Sequence, residues 1–159
     1  MTLPTQFLFL RHIRDALLAV IEYTEQGRTA FFASKMIQDA VLRNLEIIGE
    51  AVKGLETETR SRAPNIQWRR IAGMRDVLIH SYFGVDLETV WQVVEADIPE
   101  LLNATERLID ELGRHAGFSG IEVPRSRNAS LITHVRLAEF AREQSLAGGF
   151  AGRANLLPA

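Results

Sequence analysis

From about residue 4 to residue 112, apolar side chains return every three or four positions. That period matches a helix turn, and it leaves the chain little choice but helices packed side by side. Leu10, Ile13, Leu17, Val20, Ile21 and Tyr23 mark a first helix from Pro4 to about Gln26. Pro4 suits its first turn and Gly27 its stop. Phe32, Met36, Val41, Leu42, Leu45, Ile48, Val52 and Leu55 mark one long second helix, from Thr29 to about Arg62. Gly49 and Gly54 lie inside it, each costing about 1 kcal/mol relative to alanine. A close helix crossing explains Gly49, and fraying or a bend explains Gly54. Pro64 to Trp68 reads as a turn, with Asn65 as the cap of a third helix. That helix turns Trp68, Ile71, Met74, Val77 and Leu78 inward and stops near Gly84. Asp86 caps a fourth helix running to about Leu112, with Val90, Val93, Val94, Ile98, Leu101, Leu102, Leu108 and Ile109 on its stripe. Pro99 lacks a ladder donor and kinks or divides this helix.

The fold class that follows is all-α, a four-to-five-helix up-and-down bundle. After Gly113 the composition turns to Gly, Ser and Arg in GRHAGFSGIEVPRSRNAS. The expected organisation is one helical domain over residues 1–117, followed by a linker and C-terminal tail over 118–159. The tail is either one short helix, Leu131 to Gln144, or without fixed structure.

Composition removes several function classes. A net charge of −2 argues against a protein that coats nucleic acid non-specifically, while leaving room for a local basic cleft. With no cysteine there is neither a disulfide nor a thiolate metal site. The four histidines, His12, His80, His115 and His134, are far apart, so no H-E-x-x-H zinc helix exists. The start of the chain lacks the basic region of a secretory signal, and no apolar run reaches the roughly 20 residues needed to cross a bilayer. The expectation is a cytoplasmic protein with no membrane partner.

The chemistry concentrates in Trp68 to Asp86, WRRIAGMRDVLIHSYFGVD. His80 can move a proton near neutral pH, and Arg75 can hold a phosphate in its planar fork. A proton shuttle beside an anion clamp is the minimum needed to cut RNA without metal, because the 2′-hydroxyl serves as nucleophile. Asp76, four residues before His80, either orients its ring or makes an ordinary surface pair. Tyr82 either contacts phosphate or base, or packs at a helix end. Arg69 and Arg70 extend a phosphate track. On a straight helix Arg75 and His80 diverge by roughly 140°. Three things bring them together: unwinding near Gly84, the reach of the arginine, or two copies facing each other across a twofold axis. The last is favoured, since a dimer presents the same patch to itself. Elsewhere, Asp39 and Arg43 pair along one face, and Glu46 and Glu50 are solvated, pair with arginines on a neighbouring helix, or hold a metal. His12 reads as a partly exposed or core-edge histidine.

The segment from Trp68 to Asp86 resembles the core signature of the HepT-like (DUF86) branch of the HEPN superfamily, an arginine, four to six residues, a histidine, one residue and a tyrosine. RNLEIIGEA, from Arg43 to Ala51, resembles the family's second helix, and Pro64 to Trp68 and Val90-Trp91 fit as well. The likeness covers about residues 5–115. It implies a HEPN-like bundle, a homodimer with the motif lining a cleft between protomers, and a metal-independent ribonuclease toxin that needs no cofactor. Arg75 and His80 are then the catalytic pair, supported by Asp76 and Tyr82. The implied partners are RNA and a minimal nucleotidyltransferase antitoxin that transfers AMP to Tyr82, as in a type VII toxin–antitoxin system. The rival expectation is a non-catalytic helical adaptor that binds a nucleotidyltransferase and presents its substrate. A metal hydrolase built on Glu46 and Glu50 is disfavoured by the lack of nearby histidines in the sequence.

Overall fold

The computed structural model describes the backbone of residues 3–80 and 84–115, with side chains over 5–78 and 84–115. The expected domain boundary, the tail and Tyr82 lie outside the described residues. Within them the chain is all-α: α1 (Leu3–Tyr23), α2 (Gly27–Ala33), α3 (Lys35–Lys53), α4 (Thr57–Ser61), α5 (Trp68–His80), α6 (Leu87–Gln92), a π-helical turn (Val93–Asp97) and α7 (Ile98–His115). α1 packs on both α3 and α7, and α3 packs on α5. No helix among the described residues is long and apolar enough to cross a membrane.

The core follows the apolar stripes. Leu10, Ile13, Leu17 and Val20 of α1 interleave with the stripe Val41, Leu45, Ile48 and Val52 of α3, all fully buried. Each such side chain contributes about 1.5–3 kcal/mol of burial. α7 adds Leu101, Leu102, Leu108 and Leu112. Gln6, buried at the start of α1, uses both arms of its amide on the far end of α3. Its Nε2 donates to the Gly54 carbonyl at 3.2 Å, and its Oε1 accepts from the Glu56 amide at 2.8 Å. These bonds satisfy groups a helix end leaves orphaned, and they fix α1 antiparallel to α3.

The expected single second helix is three. Ser34 adopts an extended conformation and its hydroxyl accepts from the Ile37 amide, so it caps α3 and separates it from α2. Buried Gln38 reaches back to the last carbonyls of α2, Phe31 at 3.0 Å and Phe32 at 3.2 Å, and so stabilises the break. The break resets the helical phase. Phe31 therefore fills the core, whereas Phe32 and Met36, expected inside, are exposed, Met36 by 78%. The second division falls at Gly54, the C-cap of α3, ahead of α4.

Other boundaries shift less. α1 ends at Tyr23, and Gly27 opens α2 with a φ of 83°, a left-handed conformation that glycine takes without strain. Asn65 does not cap α5; it donates to Glu100 at 2.8 Å. The first α5 ladder bond runs from the Ile71 amide to the Gln67 carbonyl. Trp68 anchors this turn, its indole donating to the carbonyls of Arg60 and Ala63. Val77 is 64% exposed, because α5 meets the body on one narrow side only. Asp86 caps α6 as expected, accepting from the Glu88 amide and the Thr89 hydroxyl, and these bonds hold its carboxyl below its ordinary pKa. The fourth helix is divided just before Pro99. The Ile98 amide bonds to the Val93 carbonyl, five residues back. This widened turn gives room for a ring that would otherwise strike the preceding turn.

Candidate functional site

One face of α3 carries Arg43, Glu46, Glu50 and Lys53, spaced three, four and three residues apart, so all four lie in one row. The row sits beside the buried stripe and borders an open groove of about 500 Å³. Phe9 and His12 of α1 and Arg75 of α5 complete the lining, over Ile47, Ala51 and Gly54.

Two glycines let the neighbouring elements come this close. A Cβ at Gly49 would stand 2.5 Å from the Cβ of Arg75 and 3.3 Å from the Ile71 carbonyl, so α5 crosses α3 backbone to backbone at this point. A Cβ at Gly54 would stand 2.6 Å from the Phe9 ring. Both residues thus serve close approach, and Gly54 also ends the helix.

The crossing lays the Arg75 side chain along α3. Its Nε pairs with Glu50 at 3.1 Å and its Nη1 with Asp76 at 3.2 Å. The same Asp76 oxygen accepts from Lys53 at 2.6 Å. Lys53, Asp76, Arg75 and Glu50 form a chain of alternating charge across the helix crossing. The Lys53 and then the Arg75 hydrogen bonds hold the Asp76 carboxyl below its ordinary pKa. Arg75 remains about one-third exposed, at 31%.

The sequence-derived site residues can now be placed. Arg75 reaches the groove. Asp76, half exposed, engages Lys53 and Arg75 across the crossing. His80 is the last residue of α5, and its side chain lies outside the description, as does all of Tyr82. α5 stays helical through His80, so no unwinding between Arg75 and His80 draws the two together. Arg70 is drawn to Asp97 at 3.1 Å instead of lining the groove. Burial pushes the Asp97 carboxyl up against the pull of that arginine.

Glu50 pairs with an arginine of the neighbouring helix, and Glu46 with Arg43 at 3.2 Å. Arg43 is therefore not the partner of Asp39, which pairs with Lys35. Among the described residues no cluster of three or more His, Asp or Glu is placed to hold a metal ion. Sequence reasoning missed Lys53 and His12. Lys53 completes the i, i+3, i+7, i+10 row begun at Arg43, a signal that was present but unread. His12 is exposed on the groove wall, so of its two expected placements the exposed one holds, and its place in the groove is what the sequence did not show.

The family described as "Ribonuclease HepT-like" matches residues 13–108. A Methanocaldococcus jannaschii protein named "Gamma-glutamylcyclotransferase and putative RNase" is 44% identical over 109 residues, which is 68% of this chain and 49% of that one. A second protein of that organism, named "Putative RNase", is 42% identical over 105 residues, 65% of this chain and 90% of its own length. The "Probable ribonuclease HepT" of Thermococcus cleftensis is 43% identical over 101 residues, 63% of this chain and 92% of its own. The chain thus spans about half of the first relative and most of the other two. No solved structure gives a significant match. With the family pattern covering more than half of its length, including the α3–α5 crossing, the chain belongs to the HepT-like family.

Proposed function

We propose that this chain is a metal-independent endoribonuclease, the toxin of a type VII toxin–antitoxin system acting in the cytoplasm. The observation that carries the reading is the placement of Arg75, braced at the rim of an open groove five residues ahead of His80 on the same helix. The names of the relatives, two carrying "putative RNase" and one "Probable ribonuclease HepT", support the same class of chemistry.

In the reaction, His80 removes the proton of a ribose 2′-hydroxyl. The oxygen attacks the adjacent phosphorus, and Arg75 stabilises the charge that grows on the phosphoryl oxygens. The 5′-oxygen leaves and takes up a proton from water, giving a 2′,3′-cyclic phosphate and a free 5′-hydroxyl. A homodimer brings Arg75 and His80 to one cleft, since their angular separation on a single α5 keeps them apart. A nucleotidyltransferase antitoxin silences the enzyme by placing AMP on Tyr82, where added anionic charge repels RNA phosphates.

The test is His80→Ala. The variant abolishes cleavage of a mixed-sequence RNA oligonucleotide and relieves growth inhibition, while remaining a folded dimer by sedimentation. Cleavage at the wild-type rate sinks the reading. A wild-type protein that never cleaves RNA yet binds the nucleotidyltransferase is the adaptor instead.

A further inference from the structure

Arg75 does not stand alone on its helix; residues of α3 shape both its backbone and its charged end. Gly49 admits the Arg75 Cβ into space that any other side chain would fill. One turn position on, Glu50 takes the Nε of Arg75 at 3.1 Å. From the other side Asp76 takes Nη1, and Lys53 holds Asp76 in turn. A guanidinium on a flexible stem is thereby fixed at two of its nitrogens, by carboxylates from two different helices. Glu50 is itself 64% exposed, so its carboxylate is not there to fill the core. Its carboxylate pairs with the arginine, and both residues line the groove.

We infer that Glu50 is a positioning residue for the ribonuclease reaction, aiming the Arg75 guanidinium at the scissile phosphate. This rests on the reading above. The cost of a carboxylate in such a place is electrostatic, since it repels the RNA backbone. Its benefit is geometric: a charged group misplaced by about 1 Å loses about a hundredfold in rate. The two effects move binding and turnover in opposite directions, and that opposition separates positioning from mere stability.

The experiment uses the full chain, a fluorescent mixed-sequence RNA oligonucleotide for kcat, and its uncleavable 2′-deoxy counterpart for Kd. Glu50→Ala lowers kcat by about tenfold to a hundredfold, while Kd stays level or tightens and the thermal midpoint hardly moves. Glu50→Gln keeps an oxygen that accepts from Nε, and falls between wild type and Glu50→Ala. Arg75→Ala abolishes turnover. If Arg75→Ala still cleaves at the wild-type rate, Arg75 has no part in the reaction and the inference falls with it; a wild-type chain that cleaves nothing removes the ribonuclease reading itself. If Arg75→Ala is dead but Glu50→Ala turns over at or above the wild-type rate, only the positioning role fails. Equal losses in kcat, binding and thermal midpoint also overturn it, by making Glu50 a structural residue. Should Glu50→Ala not fold, Glu50→Gln decides, and wild-type turnover by that variant overturns the inference.

Discussion

The two largest contacts of α3 make an instructive pair. Against α1 it presents Val41, Leu45, Ile48 and Val52, all fully buried, and the seam is apolar up to the Gln6 amide at its end. Against α5 it presents Gly49, Glu50 and Lys53, and the seam is a backbone crossing bordered by ion pairs. The first contact removes apolar area from water and sets stability. The second places charges at partly exposed positions, where each ion pair contributes little to folding. One helix thus holds the fold together with one stripe and shapes the groove with the next. Mutations on the two stripes should therefore separate stability from activity.

The largest effect on folding belongs to the apolar seam. Leu45→Ala leaves a cavity under α1 and costs about 2–5 kcal/mol, read from urea unfolding. The fraction that remains folded should cleave RNA at the wild-type rate per molecule. A specific loss of turnover in that folded fraction would erase the proposed division of labour between the seams.

The glycines give a smaller and sharper contrast. Gly49→Ala gains about 1 kcal/mol of helix propensity, but its methyl meets the Arg75 Cβ, an atom tied to the α5 backbone. α5 must shift, at a cost of about 1–3 kcal/mol, and Arg75 moves with it. Gly54→Ala meets only the outer edge of the Phe9 ring, which can swing away. Cleavage should therefore fall steeply in Gly49→Ala and little in Gly54→Ala. Equal activity in the two variants would mean that the helix crossing does not control the arginine.

These contrasts also explain what could be read from residues alone. The stripes of α1, α6 and α7 were legible because apolar residues recur every three or four positions along each, on both sides of the π-helical turn ahead of Pro99. The expected second helix failed at Ser34. A serine within an apolar period looks like a tolerated interior residue until Gln38 is seen bonding the carbonyls of Phe31 and Phe32. Phe32 and Met36 were misplaced for the same reason, since their phase belongs to α2 and to the first turn of α3. At the site, Arg75 and the close crossing at Gly49 were legible. The Glu50 partnership was foreseen only as one of three alternatives. Lys53 and His12 were not foreseen, because a groove joins residues from three helices, and periodicity within one helix carries no information about its neighbours.

The smallest expected effect tests the charged seam by pH. The folded protein holds the Asp76 carboxyl below its ordinary value through Lys53 and then Arg75. Folding therefore favours the ionised form, and the unfolded chain takes up the proton first as the solution is acidified. The contribution of Asp76 is fully present above its unfolded value of about 3.9, and it is lost as pH falls through the lowered folded value. Asp76→Asn removes that proton uptake. Wild type should thus lose more stability than Asp76→Asn between about pH 6 and pH 3, and the difference should shrink in salt, because the seam is open to solvent. The Leu45 seam carries no titrating group, so Leu45→Ala should follow the wild-type pH slope. A parallel slope in Asp76→Asn would mean that Lys53 and Arg75 do not hold this carboxylate in solution, and the charged side of α3 would then lose its claim to order the arginine.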